Sequence, residues 1–265
     1  MTDRTLGPPE EPDTTTGPDA RLGAELAGLR VAPPAGLRER LVARWVRVPG
    51  PLGELLLAST EEGVAYLRPA DDEEGFAAGF RQRVGRPLEP GTRPPAGVLP
   101  ALRDPARAAR GVRFDLRVLT DFERDVLAAA RRIPAGQTRP YGWIAREIGR
   151  PRAVRAVGSA LGRNPVPILI PCHRVTRSDG ELGDYVFGGA AKERLLRGER
   201  LDVDRVRELT AAGVRYLGSD TTHIVCFPTC ADARRIEPGH QVGFGDMAAA
   251  SRAGYRPCLR CRPAG

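Results

Sequence analysis

Past position 40 the chain alternates short apolar runs with turn residues: 42–48, the turn Gly50-Pro51-Leu52-Gly53, 54–58, then 64–67. Runs of this length, punctuated by Gly and Pro, predict meandering strands. Over 71–84 the period lengthens, and Phe76, Phe80 and Val84 recur at helical spacing. Residues 86–105 are rich in Pro and Gly and predict a connection, after which 112–118 returns to strand alternation. Phe122, Val126, Leu127 and Ile133 then form an apolar stripe over 120–133, stopped by Pro134-Ala135-Gly136. Residues 141–148 predict a short helix ended by Gly149, and Pro151 suits the first position of a second helix reaching Arg163. Together these predict a helix-turn-helix. On the second helix Val154, Val157 and Leu161 share the face predicted for the core. Arg152, Ala156, Ser159 and Arg163 lie opposite, where arginines among very small side chains suit close approach to a nucleic-acid backbone, or equally an ordinary solvated face.

Composition adds a partner class and an address. A length of 265 residues predicts two or three modules, each able to bury a core. Residues 1–34 are rich in Pro, Thr, Gly and acidic side chains such as Glu10, Glu11, Asp13 and Asp19, and read as a disordered tail. The formal charge of +8 favours a polyanionic partner, and every basic residue but Lys192 is arginine. Neither a long apolar run nor a basic start leading into an apolar core is present. The expectation is a soluble, cytoplasmic protein with no membrane partner.

The candidate chemistry begins at Pro171-Cys172-His173-Arg174-Val175, which follows the apolar run Val166-Pro167-Ile168-Leu169-Ile170. A cysteine attacks as thiolate, and an ordinary thiol is only a few per cent ionised at neutral pH, so something must take its proton. His173 is the nearest base, but neighbouring side chains of an extended chain point to opposite faces. Either the backbone bends at Cys172 or a water relays the proton, with a further carboxylate to orient the imidazole. The adjacency alone fits equally a buried, inert cysteine beside a satisfied histidine.

The surrounding residues favour the nucleophile. Arg155-Ala156-Val157-Gly158, Asn164-Pro165, Ile170-Pro171-Cys172-His173-Arg174-Val175, Gly183-Asp184-Tyr185 and Lys192-Glu193-Arg194-Leu195-Leu196 follow one another in order. This ungapped series over 141–199 resembles the catalytic domain of the O6-alkylguanine-DNA alkyltransferases. The resemblance implies Cys172 as alkyl acceptor, with His173 and Glu199 completing a cysteine, water, histidine, glutamate relay and Asn164 in the catalytic group. It implies Arg155 inserted into the base stack of a flipped nucleotide, with the recognition helix and its Arg152 and Arg163 in the minor groove. Tyr141 would crowd the neighbouring phosphate and protonate the departing guanine, Tyr185 and the backbone at Val186 would hold the base, and Pro167 would line the alkyl pocket. Val186 and Phe187 depart from the residues frequent in the family.

The other four cysteines form two close pairs, Cys226-x3-Cys230 and Cys258-x2-Cys261, a spacing that predicts one tetrahedral Zn2+ site in a cytosolic protein. The stretch from Thr221-Thr222-His223 to Arg256-Pro257-Cys258-Leu259-Arg260-Cys261 resembles the zinc module of Ada. That resemblance implies Cys226 as a second methyl acceptor, from DNA methylphosphotriesters, with Thr222 and Arg256 on the DNA-facing side. Ala233 stands where an arginine is usual, the customary arginine after the first cysteine is missing, and the module follows the alkyltransferase domain, the reverse of Ada's order. A structural zinc knob that adds DNA affinity competes with this reading. His223 and His240 receive no role.

The fold expectation is therefore an α/β N-terminal subdomain over 36–115 and a helical alkyltransferase domain with a helix-turn-helix over 116–202. A small α+β zinc module over 203–265 follows, and the tail spans 1–35. The implied activity is single-turnover, direct-reversal repair of O6-alkylguanine, and of O4 of thymine, in double-stranded DNA by a monomer that needs no soluble methyl donor. The alternative is a methylation-sensing DNA-binding regulator working through the zinc module.

Overall fold

The computed structural model describes residues 34, 36–104 and 111–263. Two units are distinguished, Met1–Arg38 and Glu39–Gly265. The predicted tail lies almost wholly outside the described residues, and the strands and helices that build the site belong to the second unit.

The predicted meander forms. Strands β1 (Ala43–Gly50), β2 (Gly53–Ser59) and β3 (Val64–Pro69) pair antiparallel, with the first hairpin closing at Gly50 and Gly53. A short β4 (Leu88–Pro90) adds parallel to β1, giving the order β3-β2-β1-β4. The run Leu55-Leu56-Leu57-Ala58 is buried throughout because both faces of the sheet are covered. Leu56 and Ala58 pack against Phe76 and Phe80 of helix α1 (Glu73–Val84), while Leu55 and Leu57 enter the main core. Asp72 caps α1 by accepting from the Gly75 amide at 2.7 Å, so the helix begins two residues later than the pattern suggests.

Two readings of the N-terminal region need correction. The stretch 86–105, predicted as bare connection, holds β4 and helix α2 (Val98–Arg103), both too short to show a period. Residues 112–118, predicted as a strand, make only a bridge between Val64 and Phe114. Alternation there reports half-burial without pairing; Asp115 turns its carboxylate to Thr60 and Arg117, each at 2.7 Å.

Helix α3 (Asp121–Arg131) starts in a capping box in which Thr120 Oγ1 accepts from the Glu123 amide and the Glu123 carboxylate accepts from the Thr120 amide. Val126, Leu127, Ala129 and Ala130 form its buried face. The helix-turn-helix follows as α4 (Tyr141–Glu147) and α5 (Val154–Gly162), entered through the two-residue strand β5 (Arg139–Pro140). Pro151 lies in the turn, not in the helix. Since α5 begins only at Val154, that side chain sits in the first turn and is 40% exposed, and the core face comprises Val157, Ala160 and Leu161.

Of the two alternatives at Cys172, an extended chain or a bend, the backbone takes the bend. Cys172–Arg174 is a single 3-10 turn, followed by the two-residue β6 (Val175–Thr176), which pairs parallel with β5. Helices α6 (Gly189–Gly198) and α7 (Val203–Ala211) lead to a second four-stranded sheet of β7 (Tyr216–Ser219), β8 (Ile224–Cys226), β9 (Gln241–Phe244) and β10 (Arg256–Pro257), in the order β10-β8-β7-β9. Helix α8 (Met247–Arg252) packs on it through Met247 and Ala250. The main core is continuous across the chain and includes Val157, Cys172 and Leu195 together with all four C-terminal cysteines. Among the described residues no helix is long and apolar enough to cross a membrane.

Thr120→Ala removes the hydroxyl half of the capping box, and the variant is expected to lose about 1 kcal/mol of stability in urea unfolding, with helix α3 otherwise retained.

Candidate active site and metal centre

The turn that carries Cys172 is built by the loop before it. Asn164 Oδ1 accepts from the Val166 amide at 3.0 Å, while Asn164 Nδ2 donates to the Ile170 carbonyl at 3.0 Å and to Cys172 Sγ at 3.1 Å. One buried amide side chain thus closes the loop and touches the Cys172 sulfur. Ile168 adopts φ +72°, a left-handed conformation that a β-branched residue resists, so packing of the loop overrides local preference here. Burial pushes the Cys172 thiol above its ordinary value, and contact with Asn164 and the charges of Lys192 and Arg68 pull the other way.

Bending at Cys172 turns His173 inward. His173 Nε2 meets Glu199 Oε1 at 2.8 Å, and His173 Nδ1 is buried with no hydrogen-bond partner among the described residues. Glu199 also accepts from the Gly136 amide at 2.9 Å and from Arg174, whose Nη2 lies at 2.7 Å and Nε at 3.0 Å. Burial alone would raise the Glu199 carboxyl; His173 and Arg174 outweigh it and hold it at about 2. Burial also keeps the His173 imidazole below its ordinary value despite Glu199, so at neutral pH the ring is neutral and Arg174 balances the carboxylate.

Two contributors were given no role from the sequence. Arg68 of β3 lies over the Tyr66 ring at 4.1 Å and donates to the Pro165 carbonyl at 3.1 Å, so the N-terminal sheet braces the Asn164 loop and places a cation near Cys172. Lys192 is fully buried and donates to the carbonyls of Val175 at 2.6 Å, of Leu182 and of Asp184 at 3.3 Å. A compact ammonium with three rotatable donors can serve three converging carbonyls where a planar guanidinium cannot. Its being the one lysine in an arginine-rich chain was the available signal.

Around this centre the remaining predicted residues take definite places. Tyr141 opens α4 with its ring lying between Gly158 of α5 and Gly183, where a Cβ would come within 3.9 and 3.7 Å of it respectively. The Tyr185 ring stands edge-on to His173 at 6.1 Å and to Phe187 at 5.5 Å, and its hydroxyl is buried without a partner among the described residues. Pro167 is buried in the loop, and Val186 is 40% exposed. Arg152 and Arg155 are exposed, with no carboxylate in ion-pair range among the described residues. Arg163, by contrast, is tied to Glu123 at 2.7 Å.

The four C-terminal cysteines converge. Their sulfur atoms lie within 4.8 Å of one another, all are buried, and none is in a disulfide. A tetrahedral zinc at about 2.3 Å from each sulfur places the sulfurs about 3.8 Å apart, which this cluster meets with a small contraction. Their close contact resists simultaneous ionisation of the thiols, a cost that a divalent cation would offset. Cys226 and Cys258 face an open cleft of about 700 Å³ whose rim includes Thr222, Arg235, Arg256 and Arg260. Ala233 is buried and Arg234 exposed. His240 pairs with Asp220 at 2.9 Å and the His223 ring packs on Tyr255 at 5.1 Å, so neither histidine joins the thiols.

The buried relay makes acid stability a readout. Glu199 is held below its unfolded value, so its contribution is present above about pH 4.5 and is lost as pH falls towards 2, worth about 3 kcal/mol. His173, also depressed, adds loss in the same direction from about pH 6.5 downward. Thermal stability of the chain is expected to weaken gently from about pH 6.5 to 4.5 and more steeply from 4.5 towards 2, whereas Glu199→Gln starts lower and shows a flatter profile below about pH 4.5.

The family model described as 6-O-methylguanine DNA methyltransferase, DNA binding domain, matches residues 121–201, and that described as metal binding domain of Ada matches 202–264. The methylated-DNA–protein-cysteine methyltransferase of Methanosarcina barkeri is 39% identical over 163 residues, which cover 57% of this chain and 92% of that protein. The bifunctional transcriptional activator/DNA repair enzyme Ada of Escherichia coli is 33% identical over 171 residues, covering 63% of this chain and 48% of that protein. A crystal structure of Mycobacterium tuberculosis OGT in complex with DNA aligns at 34% identity and a TM-score of 0.49, covering 63% of this chain and 98% of that one. Relatedness over nearly the whole of a methyltransferase and a separate match to the Ada metal-binding domain lead to one conclusion: the chain belongs to the methylated-DNA–protein-cysteine methyltransferases and carries an Ada-type metal-binding domain after its alkyltransferase domain.

Proposed function

We propose that the chain repairs DNA by taking the alkyl group from O6 of guanine, and from O4 of thymine, onto Cys172 in a single irreversible turnover. The observation that carries this reading is the buried Cys172, His173, Glu199 constellation, with Asn164 on the sulfur and an unpartnered His173 Nδ1. His173 Nε2 is committed to Glu199, which leaves the Nδ1 lone pair to take the thiol proton through a bridging water. The thiolate attacks the alkyl carbon, the new carbon–sulfur bond forms as the carbon–oxygen bond breaks, and its electron pair leaves with the guanine. Tyr141 Oη gives that guanine its proton, and the proton held by His173 closes the count when the tyrosinate is restored. No residue of the site reverses a thioether, so each molecule reacts once, and the alkyl group comes from the DNA itself with no soluble methyl donor.

Duplex DNA is the partner. The exposed Arg152 and Arg155 on α5 suit phosphate contact and insertion into the stack, and Tyr141 suits the flipped nucleotide's phosphate. Arg163, held by Glu123, contributes to the face only by leaving that pair. Tyr185, the backbone at Val186 and Pro167 are assigned to the base and alkyl pocket. The working division is 36–115, 116–202 and 203–265, with the protein acting as a cytoplasmic monomer.

Cys226, Cys230, Cys258 and Cys261 would hold one Zn2+, whose charge keeps the thiols ionised. A second reading, methyl transfer from phosphotriesters to Cys226, is favoured by one observation: Cys226 lines a cleft whose rim carries Thr222, Arg235, Arg256 and Arg260 against Asp232 and Glu237, so arginines outnumber carboxylates where a DNA phosphate would sit, although Arg260 is paired with Asp232 at 3.4 Å. A methylation-sensing regulator would work through the same zinc module, into which α7 leads directly from the alkyltransferase domain.

Cys172→Ala is expected to abolish methyl uptake from O6-methylguanine duplexes while duplex affinity stays within about twofold; undiminished transfer of radiolabelled methyl to that variant would sink the assignment. His173→Gln is expected to slow transfer on the order of a hundredfold, measured in single-turnover assays. Peptide mass spectrometry after incubation with methylated DNA checks the second reading: a methyl adduct on Cys226 beside that on Cys172 supports it, and Cys172 alone reduces the zinc module to support.

A further inference from the structure

The seam between the alkyltransferase domain and the zinc module contains a charge that neither domain explains alone. Arg139 of β5 is 2% exposed, among the most buried large side chains of the protein. Its Nη1 donates to the Thr138 carbonyl at 2.7 Å and its Nη2 to Gln137 Oε1 at 2.6 Å, both neutral acceptors. Among the described residues no carboxylate lies in ion-pair range. A buried guanidinium without a nearby anion is strongly disfavoured, so a counter-charge must come from elsewhere.

The position of the side chain indicates where. Its guanidinium lies 5.3 Å from the ring centroid of Phe227, the residue after Cys226, and 5.9 Å from that of Trp143. Trp143 Nε1 in turn donates to the Cys261 carbonyl at 2.9 Å. Two cysteines of the metal centre are thereby joined to the two rings that bracket Arg139. Burial weakens the charged form of Arg139, and the negative charge of the four cysteines, Cys261 foremost, opposes that effect. Four thiolates around a divalent cation keep a double negative charge, the sign that Arg139 lacks among its direct hydrogen-bond partners, on cysteines adjacent to or bonded by the rings it packs on.

The seam is otherwise closely bonded. The Thr138 amide donates to Thr229 Oγ1 at 2.9 Å and Thr229 Oγ1 donates to the Thr138 carbonyl at 3.1 Å, while Arg262 pairs with Glu147 of α4. Arg139 has a direct route to the reaction centre. It pairs in β5 with Val175, one residue past the Cys172–Arg174 turn, and Tyr141 follows it by two residues.

We propose that Arg139 is a positioning residue that ties the four-cysteine centre to the Cys172 site: its buried guanidinium is the counter-ion of the metal-thiolate centre and fixes the β5–β6 pair from which Tyr141 and the Cys172 turn depart. The zinc module then serves repair at Cys172 whether or not Cys226 accepts methyl. This rests on reading the four cysteines as zinc ligands, which one equivalent of zinc in the purified full-length protein establishes separately by elemental analysis.

The test compares the full chain with Arg139→Met and Arg139→Lys. Zinc affinity is measured by competition with a chromophoric chelator, and single-turnover transfer to Cys172 from an O6-methylguanine duplex is measured with zinc loaded and stripped. Arg139→Met is expected to bind zinc at least about tenfold more weakly, and Arg139→Lys, which keeps the charge, within about threefold of the unmutated chain. Stripping zinc from the unmutated chain is expected to slow transfer, with recovery on re-addition, and to matter less in Arg139→Met, where the tie is already cut. Equal zinc affinity in all three proteins, or equal losses in Arg139→Met and Arg139→Lys, overturns the counter-ion role. Should Arg139→Met not fold, the stripped unmutated chain decides: full-rate transfer overturns the coupling, and slowed transfer restored by zinc supports it.

Discussion

A carboxylate shut away from water has to find its hydrogen bonds inside the protein, and the site depends on how Glu199 does so. Its two oxygens accept from His173, from the amide of Gly136 and from two nitrogens of Arg174. Those partners come from the 3-10 turn and from the turn after α3, and Glu199 itself ends α6. The demand of one buried charge thus fixes three segments relative to one another. Gly136 shows how close the approach is, since a Cβ there would lie 2.6 Å from the Glu199 carbonyl oxygen. With Glu199 satisfied in this way, the imidazole has one committed nitrogen and one open nitrogen, the form a proton acceptor needs.

Buried cations do comparable work at two other places. Lys192 gathers three carbonyls from β6 and from the loop leading to Tyr185, so the pocket side of the site is tied to the same strand that follows Cys172. Arg68 brings the N-terminal sheet into contact with the Asn164 loop. That sheet is thus more than a scaffold at a distance: its β3 edge supports the backbone that presents the nucleophile. Charges inside a core are tolerated only where the geometry satisfies them, and here each satisfied charge joins elements that are remote in sequence.

The two cysteine sites illustrate opposite uses of burial. Around Cys172 burial resists ionisation, and Asn164, Lys192 and Arg68 offset part of that resistance. Around Cys226 the opposing influence is four thiols crowded within 4.8 Å, a set that a divalent cation would stabilise. Because both sites belong to one continuous core, the seam between them is packed and hydrogen bonded in the manner of a domain interior.

The sequence by itself determined the candidate chemistry: a cysteine beside a histidine in an ordered series of motifs, two cysteine pairs at zinc spacing, a helix-turn-helix and a strand meander. Those features are local, set by residue type, by periods of 2 and 3.6, and by turn residues, so they are legible in a string. The 3-10 turn at Cys172, the exposed Val154 and the absence of a strand over 112–118 were not legible, because each is decided by what packs against the segment and not by its own pattern. Glu199 was tied to His173 only through the resemblance; the tertiary structure added Arg174 and the Gly136 amide as its further partners, brought the charges of Lys192 and Arg68 to bear on Cys172, and set Arg139 between the Cys172 turn and the four cysteines. Those are long-range electrostatic pairings, and sequence distance carries no information about which buried charge will find which partner.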